Sequence, residues 1–286
     1  MDQHLENKVC LITGATNGIG EESAKELNKM GAEIIFIARN EEKGNKLKEE
    51  LLKDSGREAT MIIADLSSQD QVKKAAEQFL SLDKPLDILL NNAGIMNRER
   101  NETVDGLEEV FSVNHLAYFT FTLMLSDKLK QTEGSRVINV ASGAHQFVKN
   151  MNFDDLQSKE NYKPMQVYGQ SKLANILFTK ALSTKLSDFG VTVNCLHPGF
   201  VSTGIGSNNN KTLWTFLMFL AKPFARKTDK GAETSIYLCS SPEVENISGE
   251  YFVDCKIEKI SEAAKSSEQS ESLWKISTEL TGIDLN

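Results

Sequence analysis

Apolar residues fall along the chain in short continuous runs, and each run is followed by a segment in which apolar positions recur every three or four residues among charges. The runs at 9–13, 33–38, 59–64, 86–90, 136–140 and 191–196 predict buried strands. The segments at 19–30 and 41–54 predict amphipathic helices. Strands that are apolar throughout need cover on both faces, which predicts a parallel sheet between two helical layers. Right-handed crossovers then give a doubly wound, three-layer α/β/α sheet. No repeat or linker interrupts the alternation, so one domain over 1–286 is expected. Two segments depart from it: 202–229, where small polar residues meet a dense apolar cluster, and a helical tail at 262–286.

Composition narrows the class. A formal net charge of −8 speaks against broad nucleic-acid binding, although it leaves room for one local basic pocket. Cys10, Cys195, Cys239 and Cys255 are scattered and form no C-x-x-C pair. Three of them sit in apolar stretches, which predicts buried, reduced thiols and a cytoplasmic setting. No metal site is expected. The first residues carry no charged segment followed by an apolar run, and no stretch reaches the roughly 20 apolar residues that span a bilayer.

The first strand runs into Thr13-Gly14-Ala15-Thr16-Asn17-Gly18-Ile19-Gly20, where a helix begins. Such a turn suits a dinucleotide in a Rossmann fold: Gly14 for the reversal, Gly18 for approach to the pyrophosphate, Gly20 for close helix packing. Thr16, Asn17 and Ile19 complete the loop, and the phosphates would lie on the positive end of the helix. The competing reading is an ordinary glycine-rich turn. The second strand ends in Ala38-Arg39-Asn40. NAD-binding folds place an acidic residue there for the ribose; an arginine instead suits a 2′-phosphate, which favours NADP(H). Asn17 offers a further hydrogen bond to that phosphate. The alternative is a solvated arginine opening a helix.

Further on come Asn91-Asn92-Ala93-Gly94 after a strand, Asn114 in a helix-like segment, Ser142 after another strand, and Tyr168 with Lys172. Tyr168 and Lys172 are four residues apart, on one face of a helix. A neighbouring ammonium is expected to lower the phenol from its ordinary value near 10, toward the working range of a general acid. Taken together, these motifs resemble the short-chain dehydrogenase/reductase family, in order and spacing, over nearly the whole chain.

The resemblance implies hydride transfer between a nicotinamide and a carbonyl or alcohol. Tyr168 is then the proton donor and acceptor, Ser142 holds the reacting oxygen, Lys172 holds the ribose, and Asn114 anchors a relay water. Asp65-Leu66 resembles the adenine contact, although Asp65 also reads as a cap before Ser67-Ser68. Asn91, Ala93 and Gly94 would line the adenosine side. Pro198, Gly199, Val201 and Thr203 resemble the loop that meets the nicotinamide. His197 reads as a structural imidazole.

Leu213–Ala221 is the most apolar stretch, readable as core or, by the resemblance, as a substrate lid over about 202–229. A lid of this kind implies a lipophilic, retinal-like carbonyl or alcohol, or a helix resting on a membrane surface. The runs 230–235, 248–255 and 273–277, with Phe153-Asp154-Asp155-Leu156, are similar to the retinol dehydrogenase-like branch. Membrane-bound members carry an apolar N-terminal anchor, and this sequence reaches its first strand without one. The leading expectation is an NADP(H)-dependent carbonyl reductase. The alternatives are an alcohol or steroid dehydrogenase and a non-catalytic NADP(H)-binding regulator. The resemblance also suggests a homodimer through the tyrosine helix and its neighbour.

Overall fold

The first strand, β1 (Val9–Thr13), is buried at every position. Its residues divide by alternation: Val9 and Leu11 enter the core on one face, Cys10 and Ile12 the core on the other. This is the two-sided burial that a parallel strand requires. The computed structural model describes residues 4–199 and 228–285. Around β1 lie β2 (Glu33–Ala38), β3 (Thr60–Ile63), β4 (Ile88–Asn91), β5 (Arg136–Val140), β6 (Thr192–His197), β7 (Tyr251–Val253) and β8 (Lys256–Ile257). Among the described residues the sheet order is β3-β2-β1-β4-β5-β6-β7-β8. All pairs are parallel except β7 with β8. The winding reverses between β1 and β4, and ligands of open α/β sheets bind beyond the strand ends at such a point.

The helices are α1 (Gly18–Lys29), α2 (Glu41–Ser55), α3 (Gln69–Ser81), α4 (Glu109–Phe111), α5 (Ala117–Met124), α6 (Ser126–Gln131), α7 (Pro164–Lys185), α8 (Thr228–Ser240) and α9 (Ser267–Thr281). Between α4 and α5 the helix widens into a π-turn, Ser112–Leu116. Helix α2 starts where the Asn40 side chain accepts the Lys43 N–H at 2.8 Å, with Glu41 and Glu42 in the first turn. Both features stabilise a helix N-terminus. Leu27, Leu51 and Leu238 meet one face of the sheet, and Phe79, Phe121 and Phe178 the other.

One feature of the sheet departs from the sequence reading. The edge hairpin β7–β8 was not predicted, because its two-residue turn, Asp254-Cys255, reaches positive φ (51° and 60°) without a glycine. Helix α9 also has a specific seat. Trp274 packs 5.1 Å from the Phe119 ring and 5.9 Å from Phe178, placing α9 over α5 and α7. Cys10, Cys195 and Cys239 are buried free thiols, and Cys255 is partly exposed.

Candidate active site

The strand β1 ends at a loop held by backbone contacts. Gly14 has φ +69°, and a Cβ there would come within 2.8 Å of the Ala93 Cα. At Gly20 a Cβ would collide with the Gly14 carbonyl oxygen and the Asn92 side-chain amide. The glycines therefore let α1 and the end of β4 close on the loop together. Thr13 Oγ1 accepts the N–H groups of Asn92 at 2.9 Å and Ala93 at 3.1 Å. In return, Asn92 Nδ2 donates to the carbonyls of Thr13 and Gly14, each at 3.0 Å. Asn17 precedes α1 in extended conformation, and its side chain makes no hydrogen bond into the helix. The first N–H groups of α1 therefore face the crevice without that cap, as anion binding requires.

From this loop a cleft of about 540 Å³ runs along the strand ends. Its size suits a dinucleotide-class ligand. Gly14, Thr16, Asn17, Gly18, Ile19, Arg39, Asn40, Asp65, Leu66, Ala93, Gly94, Tyr168, Lys172 and Pro198 line it. Arg39 is 65% exposed, with Nη1 3.9 Å from Asp65 Oδ2. Asp65 Oδ1 also accepts the Ser67 N–H at 2.9 Å, so Asp65 shapes its turn and lines the cleft, while the cap of α3 is Ser68.

Asn91 does not reach the cleft. Its side chain is fully buried in the sheet, donating to Thr122 Oγ1 and Asn139 Oδ1 at 2.9 Å each. The reason is strand alternation: Asn91 still belongs to β4 and points inward, while the next residue, Asn92, turns toward the loop. Asn92 and Thr13 are the residues that sequence reasoning passed over. Both lay inside the quoted motifs, and the missing signal was that β1 and β4 are neighbours. Gly20 packs behind the loop, and Gly199 follows Pro198 with φ +81°. Val201, Thr203 and the apolar stretch Leu213–Ala221 lie outside the described residues.

At the far end of the cleft, α7 brings Tyr168 and Lys172 to the C-terminal ends of β4 and β5. Lys172 is 2% exposed and donates from Nζ to the Val140 carbonyl at 2.9 Å. Its Nζ lies 5.6 Å from the centroid of the Tyr168 ring and 5.9 Å from that of Tyr118. Burial lowers the amine to about 7. Burial also pushes the Tyr168 phenol up to about 12, opposed by a hydrogen bond with Ser142. The predicted lowering of Tyr168 is thus reversed. Desolvation disfavours the tyrosinate, and the same desolvation weakens the ammonium that was expected to stabilise it.

Ser142 is set by the turn that follows it. Its Oγ accepts the Ala144 N–H at 3.2 Å, and its carbonyl accepts from His145 Nδ1 at 2.8 Å. Asn114 sits in the π-turn, fully buried. Its Oδ1 accepts the Ile95 N–H at 2.7 Å, while Nδ2 donates to the Ile95 carbonyl at 2.9 Å and to Ser171 Oγ at 3.0 Å. Ser171 Oγ donates in turn to the Tyr168 carbonyl at 2.8 Å. Asn114 therefore ties the segment after β4 to the helix that carries the tyrosine. His197 ends β6 against Gly143, whose added Cβ would lie 3.2 Å from the imidazole Nε2.

Known proteins are similar to this chain in sequence and fold. Residues 8–214 match the family described as short chain dehydrogenase. Retinol dehydrogenase 12 of Mus musculus is 39% identical over 280 residues, covering 98% of this chain and 88% of that protein. Polyprenol dehydrogenase of Homo sapiens is 35% identical over 293 residues, covering 97% and 86%. The crystal structure of a short chain dehydrogenase from Burkholderia cenocepacia J2315 in complex with NADP aligns with a TM-score of 0.69 at 25% identity. That alignment covers 92% of this chain and 100% of the other. With the motifs in family order and the sheet wound in the same way, the chain belongs to the short-chain dehydrogenase/reductase family, in its retinol dehydrogenase-like branch, as an oxidoreductase of alcohol and carbonyl groups.

Proposed function

We propose that this protein uses NADPH to reduce lipophilic aldehydes or ketones, retinal-like in character, to alcohols. The observation that carries the cofactor choice is Arg39 at the mouth of the cleft, where a carboxylate would hold the ribose of NAD. A guanidinium there matches a 2′-phosphate in charge and in hydrogen-bond geometry. A structural neighbour carries NADP, which supports the same reading. Two relatives are named for retinol and polyprenol, both apolar alcohols, and these support the substrate class.

The loop from Gly14 to Gly20 would hold the pyrophosphate, Arg39 the 2′-phosphate, and Lys172 the nicotinamide ribose. When bound, the nicotinamide supplies or accepts the hydride. Tyr168, with its phenol near 12, stays protonated at neutral pH, which is the state a donor to a carbonyl oxygen needs. Ser142 would donate to the same oxygen as negative charge develops on it. Both amide hydrogens of Asn114 are engaged, so a relay water toward Lys172 would bind at one of its oxygens.

Oxidation of an alcohol or steroid by the same residues is the second reading. The protonated tyrosine favours reduction over it, because oxidation needs a phenolate or a relay to remove the proton. NADPH consumption against a panel of apolar aldehydes tests the proposal. Tyr168→Phe should reduce kcat by roughly 10²- to 10⁴-fold while NADPH still binds. Absence of turnover with every carbonyl compound, or an unchanged Tyr168→Phe enzyme, would sink it.

A further inference from the structure

The π-turn that holds Asn114 is fastened on its other side to the C-terminal helix. His115 follows Asn114 in that turn and is fully buried, as is Ser277 on α9. Imidazole Nε2 and Ser277 Oγ share a hydrogen bond of 2.9 Å. The ring is wedged among Phe111, Phe119 and Phe178, with centroids 5.1, 6.3 and 6.0 Å away. On its other side the imidazole Nδ1 is buried with no hydrogen-bond partner among the described residues, as is Asn175 Oδ1 on α7. Asn175 Nδ2 donates at 3.3 Å to the Val140 carbonyl, the same oxygen that takes the Lys172 amine.

We infer that His115 is a positioning residue, and that its bond to Ser277 makes α9 part of the apparatus that aligns Asn114, Ser171 and Lys172. Three facts carry the inference. A π-turn contains one residue more than the helix around it, so its backbone needs outside support, and such turns gather at functional sites. A phenylalanine would fill the apolar pocket around the ring equally well, whereas an imidazole there brings buried polar atoms that gain only from a partner such as the Ser277 hydroxyl. That partner is Ser277, which anchors the turn to α9. Burial holds the imidazole neutral, down to about 3, so the link stays the same across the working pH range. It acts as a fixed strut.

Two measurements on the full chain separate this from simple core packing, and only the second rests on the reductase reading. Amide hydrogen exchange at Ile95, whose N–H donates to Asn114 Oδ1, reports the position of the turn without any turnover. In Ser277→Ala it should speed up at least tenfold while α1 and β1 keep their protection, and Ser277→Thr should restore it. In NADPH-dependent aldehyde reduction, Ser277→Ala should lower kcat five- to twentyfold with the KM for NADPH within twofold of the parent, again rescued by Ser277→Thr. His115→Phe, which keeps the packing and loses the bond to Ser277, should show the same pattern. Unchanged Ile95 exchange in folded Ser277→Ala and His115→Phe overturns the inference, as does faster exchange with kcat intact. A parent enzyme with no turnover would overturn the reductase reading and leave the exchange result to decide this one.

Discussion

The two ends of the cleft are built on opposite principles. At the nucleotide end the backbone forms the site: Gly14 and Gly20 leave room that any Cβ would fill, and the guanidinium of Arg39 stands 65% exposed. At the catalytic end side chains form the site, and most of them are buried. Lys172 is 2% exposed, and Asn114, Ser171 and Asn139 are fully buried. A group in water tunes recognition, is screened by salt and can be exchanged at little cost to the fold. A buried group sets proton affinities, and its loss is felt by every partner around it. Cofactor choice and proton chemistry are therefore separable in this molecule, and mutations at the two ends should differ in size and in kind.

The largest effect is expected at Lys172. Lys172→Met should lower kcat by roughly 10²-fold or more, because it removes the cation beside the tyrosine. It should also change how stability responds to pH. The amine titrates near 10.5 in the unfolded chain and near 7 in the folded one. Between those values the unfolded state holds the extra proton, so stability rises with pH, by at most about 1.4 kcal/mol per unit. Below pH 7 both states are protonated and the slope disappears. Tyr168 acts in the opposite sense at higher pH: between its ordinary value of 10 and about 12 the folded state keeps a proton that the unfolded state has lost, and stability falls. Urea midpoints across pH 7–10 should climb in the parent and flatten in Lys172→Met. Parallel slopes would mean that the amine is not desolvated, and the contrast between the two ends would fail.

Gly20→Ala should come next. Its methyl group would meet a backbone oxygen, that of Gly14, which cannot swing aside as a side chain can. Overpacking of this kind costs about 1–3 kcal/mol, read as a lower urea midpoint. Loss of the loop's shape should weaken NADPH binding as well, measured by fluorescence titration. A variant as stable as the parent, with equal affinity, would show that the loop has slack.

The same contrast explains what could be read in advance. The strands of the nucleotide half, β1 and β2, are written in apolar runs with glycines at their turns, and both were placed to the residue. Sequence also brought Tyr168 and Lys172 together, because one helix carries both. Their proton affinities could not be read, since burial comes from strands and helices distant in sequence. The Asn91 and Asn92 pair shows the limit most clearly. Adjacent identical residues take opposite jobs because the strand ends between them, and no local pattern marks where it ends. The hairpin turn Asp254-Cys255 was hidden because neither residue belongs to the usual glycine-containing turn pairs. The brace around Asn114 and the His115–Ser277 bond join residues 57 and 162 positions apart. Only the folded chain makes them neighbours.

The smallest effect, and the most selective, belongs to Arg39→Asp. The new carboxylate would stand beside Asp65, which already lies 3.9 Å from the guanidinium, and two negative groups would face any 2′-phosphate. Because the site is exposed, the loss should be modest: about 1–2 kcal/mol, or roughly tenfold in NADPH affinity. NADH has no 2′-phosphate, so its affinity should hold or improve slightly through hydrogen bonds to its ribose. The NADPH preference of the parent should also shrink as salt rises from 0.05 to 0.5 M, because screening reaches an exposed pair. The pH slope due to Lys172 should change less with salt, since its amine is buried. Equal losses for both cofactors in Arg39→Asp would remove the arginine from 2′-phosphate recognition and leave the choice of nucleotide to the loop around Asn17.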